Sequence, residues 1–264
     1  MKTQIQDFTY REFINYVDKT PRSERSKRQG STSSNKKDTW SGDTGSLKSA
    51  IKLAREGWDS GMKQLDIEDG VLVDAGHKFN PHIQGALVNV PAYLEGQPDC
   101  MWELSEEREY NLEELDVVVP LCYSAYNSDK KIMSYCQSVV KLLNQKQTKH
   151  NVRVIIVTDN KGMENGLKRL VGRIVVKDFD ERFVLNNVAF AFHTSFFRRL
   201  VFKWWETTDH LDSWGYGTVP SQKETRGWYK ENADGKYKTL FCPGLNDMSE
   251  DASFTEDNCT KINF

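Results

Sequence analysis

Between Lys19 and Lys37 the chain carries seven basic residues and one acid, a local charge of +6, and the run leads into Trp40. Arg22, Arg25, Lys27, Arg28, Lys36 and Lys37 are the residue types that neutralise phosphates and release counterions. Trp40 adds a flat ring on which a base can stack, worth ~1–3 kcal/mol where it does. A second stretch combines the same chemistries: Arg226, Lys230, Lys236 and Lys238 alternate with Trp228, Tyr229 and Tyr237. Each has a plainer reading. The first is also a Ser-rich linker with Trp40 docked on the body, and the second is also a packed β-ribbon.

Other chemistries lack their residues. There is no G-x-x-x-x-G-K-[ST] and no G-x-G-x-x-G after a strand. Five cysteines, an odd number without C-x-x-C spacing, fit neither a disulfide framework nor a zinc finger, and are read as reduced thiols. His77 and His82 flank Lys-Phe-Asn-Pro, with Asp74 nearby, but no third ligand is evident. No metal and no cofactor are expected. No nucleophile elbow or Cys/His pair stands out. The one constellation left for an enzyme is Asp66, Asp74 and His77, as a metal-dependent nuclease.

These residues need elements to hold them. "LDVVVPLCYSA", "SDKKIMSYCQSVVKLLNQ" and "NVRVIIVTDN" read as strand, helix and buried strand, the pattern of a βαβ crossover. A short helix around 164–170 and a strand "GRIVVKDF" follow. Next comes a long aromatic helix from near Asp180, with more aromatics than one buried stripe holds. Its cover is expected from the N-terminal helices or the C-terminal segment, or else from a partner. Two short strands are read in residues 65–102. The fold class is therefore α/β: a largely parallel or mixed three-layer sheet, with N-terminal helices and a C-terminal β-hairpin turning at Asp234-Gly235.

Five segments are expected: an N-terminal helix (1–19), a flexible basic arm (20–42), the α/β core (43–208), a Gly- and aromatic-rich extension (209–245) and an acidic tail (246–264). The net charge of -2 predicts no polyanion partner for the chain as a whole, so the local runs carry the argument. The N-terminus lacks a secretory h-region, and no apolar run nears the ~20 residues of a membrane span.

Strand, small hydroxyl residues, then helix resembles the metal-binding turn of von Willebrand A domains, which implies a Rossmann-like or degenerate A-domain core. Cys122 stands where that pattern has its aspartate, and Tyr126 replaces its second serine, so no hard cation is placed there. Three further strings, "WSGDTGSLKSAIKLAREGW", "VNVPAYLEGQPDCM" and "VLNNVAFAFHTSFFRRLVF", occur in an order that resembles a family of uncharacterised phage and prophage proteins. That resemblance implies a phage origin and a place in the host cytoplasm. It implies no activity.

The leading expectation is a phage protein without enzymatic activity that binds nucleic acid, single-stranded DNA first, in transcription or replication. The alternatives are an adaptor or inhibitor that meets a phage or host protein through the aromatic helix or acidic tail, and the nuclease. No membrane partner is expected, and self-association is left open.

Overall fold

Val117, Val118 and Val119 are completely buried, as are Val154, Ile156 and Val157. Successive strand residues point to opposite faces, so such runs must be covered on both sides. The computed structural model shows this cover. It describes residues 2–29, 33, 41–42, 44–58, 78–82, 87–88, 93–94, 101–105, 112–122, 124, 126–162, 168–181, 185–208 and 216–264. In chain order its elements are β1 (Lys2–Thr9), α1 (Tyr10–Lys19), α2 (Glu24–Gln29), α3 (Leu47–Glu56), β2 (Lys78–His82), β3 (Leu87–Val88), β4 (Met101–Ser105), β5 (Glu114–Pro120), α4 (Asp129–Gln147), β6 (Asn151–Lys161), β7 (Lys168–Lys177) and α5 (Leu185–Phe192). A π-helical segment (Phe196–Val201) then leads into α6 (Phe202–Thr207), followed by α7 (Gln222–Asn232), β8 (Lys238–Phe241) and β9 (Thr260–Ile262).

Six strands form one sheet in the order β1-β7-β6-β5-β8-β9. β5 lies parallel to β6 and β8, and β1 is parallel to β7. The β6–β7 and β8–β9 pairs are antiparallel. The expected crossover from β5 through α4 to β6 is present, and the sheet is mixed α/β. β2, β4 and β3 make a separate three-stranded antiparallel sheet.

One face of the main sheet carries α1, α3, α4 and the aromatic helix. Phe190, Phe196, Phe197, Trp204 and Trp205 are all buried there. Phe13 of α1 packs on Phe196 and Trp204, and Trp58 beyond α3 packs on Phe190. The N-terminal helices thus supply the expected cover. Gly172 in β7 makes room for this layer: a Cβ there would lie 2.8 Å from the Trp204 ring. The other face is covered by α7, whose Trp228 and Tyr229 join Val118, Ile155, Val157 and Phe241 in a second, smaller core.

Several expectations need correction. Residues 2–9, expected at the start of a helix, form edge strand β1. Only Ile5 and Phe8 in it are apolar, so neither period shows, and the strand is specified by its pairing with β7. Thr9 then caps α1 with a capping box to Glu12. Residues 168–170 are strand rather than helix. The C-terminal hairpin is absent, because residues 222–232 are helical. Ser221 and Glu224 form a capping box, and Thr225, Trp228 and Tyr229 recur at helical spacing. Asp234-Gly235 does turn the chain, with Gly235 at φ 67°, but from a helix into a strand.

Residues 246–264 are also not a loose tail. Ala252, Phe254 and Ile262 are buried, and β9 extends the sheet. No helix among the described residues is long and apolar enough to cross a membrane.

Candidate nucleic-acid interface

Glu206 closes the aromatic helix and is completely buried. A buried carboxylate is tolerated only when its oxygens are satisfied. Four donors converge on it: Arg22 Nε at 2.6 Å, Ser33 Oγ at 2.6 Å, the Ser33 amide at 3.3 Å and the Tyr216 hydroxyl at 2.5 Å. The Glu206 carbonyl also accepts from the Ser23 amide at 2.8 Å. The basic segment is therefore fastened to the body at its start, and Glu24–Gln29 within it is helical. Ser26, in the middle of that helix, is fully buried.

A second fastening lies at the far end of the segment. Ser195 Oγ donates to the Ser41 carbonyl at 3.0 Å, and Thr44 Oγ1 donates to Ser195 Oγ at 3.1 Å. Gly42 has φ 86°, and a Cβ on it would sit 2.3 Å from Ser195 Oγ, so only glycine fits this contact. His193 supports the site from below. Its Nδ1 accepts from the Ser195 amide at 3.1 Å, and its ring lies 4.4 Å from that of Trp58. Ser195 and Glu206 are on the order of 15 Å apart along the helix. The described ends of residues 20–42 are thus held at two points on one helical strut.

Positive charge is crowded at the first anchor. Lys203 donates to the Thr20 carbonyl at 2.6 Å. Burial, and after it the charge of Arg22, pushes the Lys203 ammonium below its ordinary value, with Glu206 opposing. Lys27 is half exposed and reaches Glu24 at 2.6 Å, so the only acid of the run is answered within it. Arg25 is half-buried on α2. The side chain of Arg28, together with Lys36, Lys37 and Trp40, lies outside the described residues.

The second basic stretch is dispersed. Trp228 is buried against the sheet with the Arg169 guanidinium 5.9 Å from its ring centre, so its faces are not available to a base. Arg226 donates to Thr260 Oγ1 at 2.7 Å. Lys230 is exposed on α7, and Lys236 sits over the Tyr237 ring at 4.9 Å. Lys238 pairs with Glu113 and shares a face with Leu240, away from α7. Asp66, Asp74 and His77 lie outside the described residues. Among those described, no group of three His, Cys, Asp or Glu side chains is placed to hold a metal.

The family described as a domain of unknown function (DUF7192) matches residues 5–262. The chain belongs to that family. No curated protein and no solved structure matches it. The match in this DUF7192 member takes in both anchors, both faces of the sheet and β9.

Two other features of the DUF7192 chain bear on its surface. A cleft of 480 Å³ opens on the α7 side of the sheet, lined in part by Asp7, Arg153, Arg173 and Asp234. Its charges answer one another. Arg173 grips Asp7 at 2.5 and 2.6 Å, and Arg153 grips Asp116 at 2.7 and 2.9 Å while lying 4.9 Å from the Phe179 and Tyr237 rings.

The second feature is Glu224, which pairs with Lys161 and accepts from the Ser221 amide at 3.0 Å. Lys161 first, and the Ser221 amide second, hold its carboxyl at about 2 instead of 4.5. A depressed carboxyl contributes stability above its unfolded value and loses it as pH falls through the folded one. Glu224 is half exposed, so the contribution is small. Glu224→Gln is expected to flatten the fall in urea midpoint between pH 4.5 and about 2. Parallel wild-type and variant curves over that range would contradict the assignment.

Proposed function

We propose that the chain is a non-enzymatic nucleic-acid-binding protein that grips the phosphates of a single strand through residues 20–42. Its setting is phage transcription or replication in the host cytoplasm. The observation that carries the reading is the double fastening of the basic run, to Glu206 at one end and Ser195 at the other. A fastened cationic segment loses less freedom on binding than a free arm, so more of its electrostatic attraction survives as affinity. Residues 20–42 carry six basic residues against Glu24 and Asp38, a formal charge of +4, and setting Glu206 against them leaves +3. The adaptor reading has less behind it, since the described aromatics of its helix are buried and residues 260–262 are a sheet strand.

The test is anisotropy of a labelled single-stranded oligonucleotide against salt. If about four phosphates are neutralised, affinity falls roughly 10- to 100-fold between about 50 and 200 mM salt. The double variant Arg25→Glu, Lys27→Glu is expected to bind more weakly, with a shallower salt slope. Absence of salt-dependent binding near micromolar protein would overturn the proposal.

A further inference from the structure

Cys242 and Cys259 stand opposite each other one step beyond Phe241 and Thr260, a register pair of β8 and β9. The Cys242 amide donates to the Val118 carbonyl of β5 at 2.8 Å, which turns its backbone away from β9. The Cys259 amide is turned inward on its own chain, to the Glu256 carbonyl at 2.9 Å. The two cysteines therefore meet as a non-hydrogen-bonded antiparallel pair, in which Cα atoms approach to about 4.5 Å. That spacing falls within the roughly 4.4–6.8 Å a disulfide spans.

Both side chains lie on the α4 side of the sheet. Cys242 is part of the main core and Cys259 packs against it. Both thiols are free, and that of Cys259 donates to the Thr255 carbonyl at 3.7 Å. They differ in access, because Cys242 is fully buried and Cys259 is partly exposed.

We propose that Cys259 and Cys242 form an oxidation-sensing pair, in which a peroxide oxidises Cys259 and Cys242 then closes a disulfide. In the first step the Cys259 thiolate attacks one peroxide oxygen. The O–O bond breaks, a sulfenic acid forms, and the departing hydroxide takes a proton to become water. In the second step the Cys242 sulfur attacks the sulfenic sulfur, the S–O bond breaks, and the hydroxide leaves with the Cys242 proton as water. Two thiols and one peroxide become a disulfide and two waters.

Oxidisable thiols of this kind are accessible, rich in thiolate and set beside a resolving cysteine. The Cys242 side chain holds the Cys259 thiol below its ordinary value, and Lys146 adds to this against burial and Glu256. Burial pushes the thiols of Cys122 and Cys136 up to about 12, which leaves them inert. The closed bond would lock β9 and residues 243–258 onto β8. It is expected to raise the thermal midpoint by about 5–10 °C.

The experiment treats the reduced full chain with hydrogen peroxide, alkylates the remaining thiols and maps the peptides by mass. The expected result is a reducible link between the peptides of Cys242 and Cys259. In Cys242→Ser, and in Cys242→Ala as a second variant, dimedone is expected to trap Cys259 as its sulfenic adduct. A link that joins either residue to Cys100 instead would overturn the proposal. So would two thiols that remain alkylatable after peroxide, or a Cys259 that runs to sulfinic acid with Cys242 intact.

Discussion

Asp159→Ala is expected to lower the stability of the chain by about 3–5 kcal/mol, read as a shift in urea midpoint. Asp159 is completely buried near the end of β6. It accepts from Arg169 Nε at 2.9 Å and from a second nitrogen of the same guanidinium, and Thr225 Oγ1 of α7 donates to it at 3.0 Å. One carboxylate thus joins two strands to the helix that covers the second face of the sheet. Alanine would leave the Arg169 guanidinium, whose side chain is only 10% exposed, without its counter-charge. Uncompensated buried charge is among the few mechanisms that produce losses of this size. Asp159→Asn keeps an acceptor and is expected to cost less than alanine. A loss below about 1 kcal/mol for alanine would show that the guanidinium finds water, and the account of this cluster would fail.

Glu206→Ala has a different signature. Its direct cost is expected to be about 2–4 kcal/mol, since the Ser33 and Tyr216 donors lose their acceptor while Arg22, one quarter exposed, can turn to water. The larger consequence is local. Without the Glu206 carboxylate the start of the basic segment keeps only the Ser23 amide on the backbone carbonyl of residue 206 and Lys203 on the Thr20 carbonyl, so trypsin is expected to cut after Arg25 and Lys27 faster than in the wild type. Oligonucleotide affinity is expected to fall with it, under conditions where the variant remains folded. Asp159→Ala, in the same conditions, should leave trypsin cutting at Arg25 and Lys27 unchanged. If both variants accelerate cleavage there equally, the cuts report global unfolding and Glu206 is not an anchor.

The two carboxylates also mark what the sequence could say. The apolar runs of β5 and β6 and the Ser128-capped α4 between them were legible, because burial on both faces leaves a continuous apolar signature. The excess of aromatics on residues 183–205 was legible as a need for cover, and α1 and α3 provide it. β1 was not legible: it is an edge strand of 8 residues in which all but Ile5 and Phe8 are polar, and its register with β7 is a long-range fact. α7 was misread because its alternating cations and rings look the same at short range in a ribbon and a helix. The capping residues Ser221 and Glu224 were the signal that separated them.

The basic run was visible as charge alone. Its anchors were not, since nothing local distinguishes Glu206, at the end of "KWWET", from any other helix-terminal acid. Its role comes from donors 173 and 184 residues away in the chain.

On the function proposed above, residues 20–42 are the surface that meets nucleic acid. This reading is tested most directly by ultraviolet crosslinking of the full chain to a single-stranded oligonucleotide, with the attached peptides identified by mass. Crosslinked peptides are expected within residues 20–42, lost on addition of unlabelled competitor and reduced in Glu206→Ala. Crosslinks confined to α7 and the Lys236–Lys238 turn, or none at a concentration where anisotropy shows binding, would contradict it.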